Sequence, residues 1–141
     1  MKVTNIFSFE NNTQLELPLF SSKVPAGFPS PAEDFIERSL DLNEFLIKHP
    51  AATFFVKVEG ESMIGAGIHS GDILIVDRAL TPEDKKIVIA VLNGELTVKR
   101  LRKQNGRIFL EAENKAFSAL EITDTNDFQI WGVVTYVIHA V

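Results

Sequence analysis

The second half of the chain alternates short apolar runs with tight-turn signals, a pattern typical of β-strands. The runs are rich in β-branched and aromatic residues and show no intervening helical period. Asn93-Gly94 and Asn105-Gly106 are preferred type I′ turns between antiparallel strands, and Trp131-Gly132 indicates a bend. The predicted strands cover residues 53–58, 73–77, 87–92, 95–101, 107–112 and 128–138. The sequence therefore predicts a mainly β protein with short helices and a mixed, mostly antiparallel β body.

Two helix-start signals precede these strands. Ser30-Pro31-Ala32-Glu33 is a capping box with proline at the first helical position, and it predicts a helix that runs to about Leu40. Asp41-Leu42-Asn43-Glu44 repeats the cap pattern and predicts a second helix over residues 42–48, which His49-Pro50 ends. Helices are thus expected only between the N-terminal segment and the sheet.

The N-terminal segment, residues 1–29, shows neither a helical nor a strand period. Pro18, Pro25 and Pro29 interrupt it, and the small pair Ala26-Gly27 lies between the last two prolines. Its leucines need apolar surface to rest on. We therefore expect an extended, mobile arm that packs on the body or on a partner, followed by a folded domain of residues 30–141.

Composition narrows the possible functions. With 141 residues the chain suits one compact domain, and a net charge of −5 argues against a general DNA-coating role, which needs clustered basic residues. The absence of cysteine excludes disulfides, a thiolate nucleophile and cysteine-based metal sites. No apolar run approaches the ~20 residues of a membrane span, and no signal peptide is visible. We expect a cytoplasmic protein without a membrane segment, a metal ion or a cofactor.

Ser62 is the first candidate for chemistry. It lies just past a predicted strand and before the glycine-rich turn of residues 65–67. A serine in this position can project its hydroxyl and leave neighbouring backbone N–H groups free to bind an oxyanion. Most such serines only make local turn hydrogen bonds, so the pattern alone is a weak signal.

A serine nucleophile also needs a base. The three histidines, His49, His69 and His139, have no distinctive partner pattern, so a Ser-His-Asp triad is possible but not indicated. The alternation of residues 95–101 places Lys99 on a strand between apolar neighbours. Burial there would lower the pKa of its amine from ~10.4 toward the ~7–8 that a general base needs. Strand lysines are usually solvated, so Lys99 taken alone is not a strong candidate either.

Several sequence blocks together resemble the LexA/UmuD family of self-cleaving serine–lysine peptidases, family S24. The blocks are Gly60-Glu61-Ser62-Met63, residues 71–77 and residues 95–101, and the spacing of 37 residues from Ser62 to Lys99 also matches. Ala26-Gly27 lies where that family has its self-cleavage bond. Only 26 residues precede Gly27, too few for the helix-turn-helix domain of LexA-type repressors, so the likeness is to the UmuD-type members.

The resemblance implies a fold of the LexA C-terminal and signal-peptidase type. It implies that Ser62 is the nucleophile, that Lys99 is the general base and that the N–H groups of Ser62 and Met63 form the oxyanion hole. The bond between Ala26 and Gly27 is the implied substrate. The implied partners are a second copy in a homodimer, a RecA filament on single-stranded DNA as activator, and a UmuC-type DNA polymerase subunit in the SOS response to DNA damage. No direct sequence-specific DNA binding and no cofactor are implied.

Three other interpretations stay open at this point. The same fold could serve as a non-catalytic binding module, with Ser62 and Lys99 as structural residues. The chain could be a fragment-like transcriptional regulator of the LexA class. A signal-peptidase-like enzyme that acts on other proteins is disfavoured because no membrane anchor is visible. Pro25, directly before the predicted cleavage pair, departs from the expected pattern and favours an extended conformation.

Overall fold

The computed structural model describes residues 1–9, 16–20 and 36–141. The predicted cleavage pair Ala26-Gly27, the capping box that starts at Ser30 and the predicted boundary after residue 29 lie outside the described residues. Residues 1–9 and 51–141 belong to one compact unit, and residues 10–50 belong to a second. The two units are described separately below.

The described elements are mostly strands. In chain order they are β1 (Lys2–Ser8), β2 (Glu16–Phe20), β3 (Ile36–Asp41), α1 (Leu42–Leu46), β4 (Thr53–Glu59), β5 (Ile73–Asp77), β6 (Ile87–Leu92), β7 (Glu95–Gln104), β8 (Arg107–Glu111), β9 (Leu120–Ile122) and β10 (Phe128–Ile138). Two 3₁₀ turns cover Pro50–Ala52 and Ile64–Ala66. None of the helices in the described residues has the length and apolar character that a bilayer crossing requires.

The larger unit is an eight-stranded sheet in the order β1-β4-β5-β10-β6-β7-β8-β9. β1 also pairs with β7, which is the sixth strand in this order. The first six strands of the sheet, from β1 to β7, therefore close into a barrel-like ring. All pairings among the described strands are antiparallel. The predicted mainly β fold with an antiparallel body is therefore confirmed.

Alternating side chains of the strands fill two apolar clusters. The first contains Val56, Val58, Met63, Ile68, Leu74, Val76, Ile89 and Val98. The second contains Val88, Ala90, Leu101, Leu110 and Val133. Strand β6 contributes to both clusters, because Ile89 points to one face and Val88 and Ala90 to the other. This arrangement explains why β6 is continuously apolar in the sequence.

The two Asn-Gly steps form the turns that the sequence predicts. Asn93 and Gly94 have φ of 49° and 84°, and Asn105 and Gly106 have φ of 52° and 76°. Two successive positive φ values are the signature of a type I′ turn, which matches the twist of the flanking strands. The turns connect β6 to β7 and β7 to β8.

The bend predicted at Trp131-Gly132 is a bulge in β10. The register of β10 against β6 shifts between Ile130 and Gly132, and the second half of the strand pairs with β5. A Cβ atom at Gly132 would lie 2.5 Å from Val76 Cγ1 and 3.2 Å from Arg78 Cγ. Glycine fits here because the Val76 and Arg78 side chains already occupy the space that a Cβ atom would take.

The first predicted helix is wrong where it falls on described residues. Residues 36–41 form β3, which pairs antiparallel with β2 through Leu17↔Leu40 and neighbouring pairs. A capping box is a local signal, and the ladder to β2 supplies the backbone hydrogen bonds that a helix would otherwise make. The second helix is confirmed over Leu42–Leu46, with Asp41 as its N-cap accepting the Asn43 N–H at 3.0 Å.

The sequence pattern indicates no strand in residues 1–29, but the structure has two strands there, β1 and β2. β1 pairs with β4 from Lys2↔Glu59 to Ser8↔Phe54, and β2 pairs with β3. A register shift between Val3 and Asn5 interrupts the alternation of β1, and most of its side chains are exposed. Both features remove the period-two signal that sequence reasoning depends on.

Candidate active site

Ser62 lies in a short loop that leaves β4 through Gly60, whose φ is +112°. Its side chain is only 2% exposed, and the next residue, Met63, is fully buried in the first apolar cluster. The Met63 carbonyl accepts the N–H groups of Ala66 at 3.0 Å and Ile68 at 3.3 Å. The buried Met63 side chain and these hydrogen bonds fix the backbone on the C-terminal side of Ser62.

The Ser62 loop is also attached to the segment that follows β8. The Gly65 N–H donates to the Glu113 carbonyl at 2.7 Å, and Asn114 Nδ2 donates to the Glu61 carbonyl at 2.9 Å. A Cβ atom at Gly65 would lie 2.6 Å from the Glu113 carbonyl oxygen. Glu113 in turn forms an ion pair with Arg100 on β7. The loop that carries Ser62 is therefore tied to the strand that carries Lys99.

Lys99 lies in the middle of β7, where it pairs with Val88 of β6. Of the apolar residues near it on β7, Val98 packs in the first apolar cluster and Leu101 in the second. The Lys99 amine lies 5.5 Å from the centre of the Phe117 ring and borders a cavity of about 160 Å³. Burial lowers the pKa of Lys99 below its ordinary value of 10.5, against an opposing hydrogen bond from the chain's terminal amine.

The α-amine of Met1 contacts both Ser62 and Lys99. It donates a hydrogen bond to Ser62 Oγ and also makes a hydrogen bond with the Lys99 side chain. Burial and the neighbouring Lys99 charge lower the pKa of this amine to about 5. Sequence reasoning missed Met1, because its position depends on the pairing of β1 and no motif marks it.

Within the part of the chain that the structure describes, the backbone N–H groups of Ser62 and Met63 donate no hydrogen bond. Buried N–H groups are normally paired, so two adjacent free donors beside a buried hydroxyl are unusual. Such donors are what an oxyanion hole requires.

His69 and His139, the two histidines of the larger unit, make no contact with Ser62. His69 and His139 stack with ring centres 4.9 Å apart beside the buried Asp72. Asp72 Oδ1 bonds to His139 Nδ1 at 2.6 Å, and Oδ2 accepts the backbone N–H of His69 at 2.7 Å. These three side chains offer ligand atoms within 4.8 Å of one another and are the described group that could hold a metal ion. Within the described part of the larger unit, Ser62 is not part of a Ser-His-Asp triad.

Replacement of Asp72 by asparagine is expected to lower the free energy of unfolding at pH 7 by about 1–3 kcal/mol, because buried hydrogen bonds to a carboxylate are lost. Burial acts to raise the pKa of Asp72, but the His69 N–H and His139 hold it below its ordinary 3.8. This stabilisation is present above pH 3.8 and disappears as the pH falls through the folded-state pKa. Urea unfolding at pH 7 and at about pH 2 measures the difference, with the exposed Asp124→Asn as control. An equal loss at both pH values would contradict the prediction.

Comparison with known proteins identifies the family to which the chain is similar. The chain matches the family described as Peptidase S24-like over residues 18–135. It is 50% identical over 126 residues to protein SamA of Salmonella typhimurium strain LT2, which covers 89% of this chain and 87% of SamA. Identity to protein ImpA of Escherichia coli is 47% over 131 residues, or 86% of this chain and 83% of ImpA. The LexA repressor of Bordetella parapertussis is 42% identical over 120 residues, 85% of this chain and 55% of the repressor. The matched family segment includes both Ser62 and Lys99.

Proposed function

The chain belongs to the Peptidase S24-like family, as its sequence resemblance predicted, and on this premise we propose that it cuts its own N-terminal segment, with Ser62 as nucleophile and Lys99 as general base. Membership implies serine peptidase chemistry. The observation that carries the assignment of residues is the convergence of Ser62 Oγ and the Lys99 side chain on one amine nitrogen. Burial of both groups and the absence of a histidine at Ser62 among the described residues support it.

The proposed reaction is acyl transfer followed by hydrolysis. Neutral Lys99 takes the proton of Ser62 Oγ as this oxygen attacks the Ala26 carbonyl. The oxyanion is held by the free N–H groups of Ser62 and Met63. Protonated Lys99 then gives its proton to the Gly27 nitrogen as the peptide bond breaks. Water, deprotonated by Lys99, hydrolyses the Ala26 ester and regenerates Ser62, leaving residues 1–26 and 27–141.

The proposed substrate is part of the enzyme's own chain or of a bound copy. A short flexible tether holds a segment at an effective concentration on the order of millimolar, so strong binding determinants are unnecessary. Ala26 and Gly27 have minimal side chains, which lets the backbone approach a nucleophile in a narrow cleft. The rate is then governed by docking of the segment and by the protonation state of Lys99.

We further propose a biological setting from the family resemblance. The chain acts in the cytoplasm in the SOS response to DNA damage, and a RecA filament on single-stranded DNA activates the cut. The processed homodimer serves a UmuC-type translesion polymerase as accessory subunit. Direct sequence-specific DNA binding is not part of this proposal, since the net charge is −5 and the chain has one short basic cluster, residues 99–103.

The experiment that tests the proposal follows the fragments of the purified protein over pH 7 to about 10. Mass spectrometry is expected to find a product that begins at Gly27, and the rate should rise with pH. Because the activator is absent from this mixture, a parallel reaction contains RecA, single-stranded DNA and a nucleotide. Cleavage at another bond, or an intact chain under both conditions, would exclude self-cleavage between Ala26 and Gly27.

Two glycine substitutions separate the geometry of the site from general stability. Gly65→Ala and Gly132→Ala each force a methyl group into occupied space, at 2.6 Å from the Glu113 carbonyl oxygen and 2.5 Å from Val76 Cγ1. Both are expected to lower the free energy of unfolding by about 1–3 kcal/mol. Only Gly65→Ala should also slow cleavage by the protein that remains folded, by about tenfold or more, because the Ser62 loop shifts. Equal cleavage rates in the two folded variants would contradict this role of Gly65.

A further inference from the structure

The N-terminal strand β1 is an integral part of the ring of strands, although it precedes the proposed cut. It forms six registered residue pairs with β4 and one with β7, at Lys2↔Thr97. Thr4 Oγ1 donates to the Lys57 carbonyl at 3.2 Å, and the Phe9 ring meets the Phe55 ring edge-on at 5.9 Å between centres. Backbone pairing of this kind is how an added peptide strand binds to a sheet edge.

The residue that precedes β1 lies at the candidate catalytic pair. The Met1 carbonyl accepts the Val98 N–H at 2.9 Å and Thr97 Oγ1 at 2.8 Å. Its side chain packs against the first apolar cluster, as does that of Val3. Its amine contacts Ser62 Oγ and Lys99. Ser62 is 2% exposed with β1 in this position.

We infer that β1 stays in the sheet as a bound peptide after the proposed cut between Ala26 and Gly27, and that the bound strand keeps Ser62 covered. The cut breaks one covalent bond outside β1 and removes none of the contacts that hold β1 to β4 and β7. The inference rests on the proposed function only for the position of the cut. The partner that the groove between β4 and β7 takes is the chain's own residues 1–9.

Two consequences follow for the proposed peptidase. A segment from another chain reaches Ser62 only when Met1 leaves, so the processed protein does not act freely on other proteins. The uncut chain must likewise displace Met1 before its own Ala26 carbonyl approaches Ser62 Oγ. Docking of residue 1 and docking of the cleavage segment are therefore mutually exclusive states of one site.

The test uses a cut that does not depend on the protein's own chemistry. A recognition sequence for an added protease replaces residues 11–14 in a Ser62→Cys chain, which then carries its only thiol at position 62 because the chain has no cysteine. After the added protease has cut, native mass spectrometry and size exclusion at micromolar concentration are expected to find the N-terminal piece and the remainder in one particle. Alkylation of the introduced thiol by a small reagent reports whether the site is covered.

Ile6→Pro provides the displaced state, since proline fixes φ and removes a backbone N–H at a position of β1 that pairs with Val56, while the Ile6 side chain is 42% exposed. Ile6→Val is the matched control and keeps the N–H. Thiol alkylation in the cut protein should be at least about tenfold slower with Ile6 retained, or with Ile6→Val, than with Ile6→Pro. If Ile6→Pro does not fold, the cut and uncut Ser62→Cys chains still decide, because β1 retention predicts equal alkylation rates for these two.

Release of the N-terminal piece as a free peptide would overturn the inference. So would a retained piece that leaves the thiol as reactive as in an unfolded chain. A wild-type protein that never yields the Gly27 product would instead contradict the proposed function. Retention of the N-terminal piece and thiol alkylation would still test the inference, because the added protease makes the cut in that experiment.

Discussion

Replacing Ser62 with alanine is expected to abolish the fragment that begins at Gly27, with a fall in cleavage rate of at least about a thousandfold. The reason is that alanine removes the oxygen that forms the acyl bond, while the backbone N–H groups of residues 62 and 63 and Lys99 remain in place. The substitution removes one buried hydroxyl that contacts the Met1 amine, so the fold should be retained. Circular dichroism and a thermal melt check the fold, and mass spectrometry measures the fragment.

The matched control is Ser70→Ala in the same loop region. Ser70 Oγ accepts the Gly60 N–H at 3.1 Å, but Ser70 is exposed and has no contact with Lys99. Its loss should change the cleavage rate by no more than about threefold, because it affects one exposed hydrogen bond. If the Ser62→Ala protein still yields the Gly27 fragment at the rate of the Ser70→Ala protein, Ser62 is not the nucleophile and the assignment fails.

The parts of the fold that the sequence predicted are those with strong local signals. Two Asn-Gly steps set the β6–β7 and β7–β8 turns, since both residues of a type I′ turn need positive φ and few other residue pairs allow it. A strand was predicted over residues 87–92, and β6 covers these residues and contributes to both clusters. Local chemistry and tertiary structure agree at these positions.

The parts that failed depend on long-range pairing. β3 lies where a helix was predicted, because its partner β2 is remote in sequence and outweighs the local propensity. β1 gave no strand signal, because a register shift interrupts its alternation and its side chains are mostly exposed. No local rule could have placed Met1 beside Ser62, since that contact follows from closure of the ring between β1 and β7.

The candidate site could be predicted only when the residue patterns were combined with the family resemblance. The alternation of β7 placed Lys99 correctly on a strand whose neighbours are buried, but it did not distinguish a base from a solvated lysine. The family resemblance selected Ser62 and Lys99, and the fold brings their side chains to one point. The attachment of the Ser62 loop through Gly65 to Glu113 has no sequence signature, because it depends on a close approach of two loops.

Lys99 should make cleavage depend on pH in a way that identifies it. Because burial lowers the pKa of Lys99 below 10.5, its neutral fraction rises at a lower pH than that of an exposed lysine. The cleavage rate is expected to rise with pH and to level off once Lys99 is neutral, before pH 10.5. Stability should also rise with pH over the interval between the folded-state pKa and 10.5, where the unfolded chain binds the extra proton. The cleavage rate and the stability thus both rise with pH, and both do so because the pKa of Lys99 is lowered in the folded protein.

Lys99→Arg removes this behaviour while keeping a positive charge on β7. A guanidinium stays protonated throughout the accessible range, so it cannot accept the Ser62 proton, and the rate should fall at least about a thousandfold at every pH. Lys103→Arg on the same strand is the control, because Lys103 Nζ only donates to the Pro82 carbonyl at 2.9 Å and arginine can replace that bond. Rates are measured from the Gly27 fragment between pH 7 and about 10. A Lys99→Arg protein that regains activity as the pH rises would show that another group takes the proton, and the assignment of Lys99 as general base would fail.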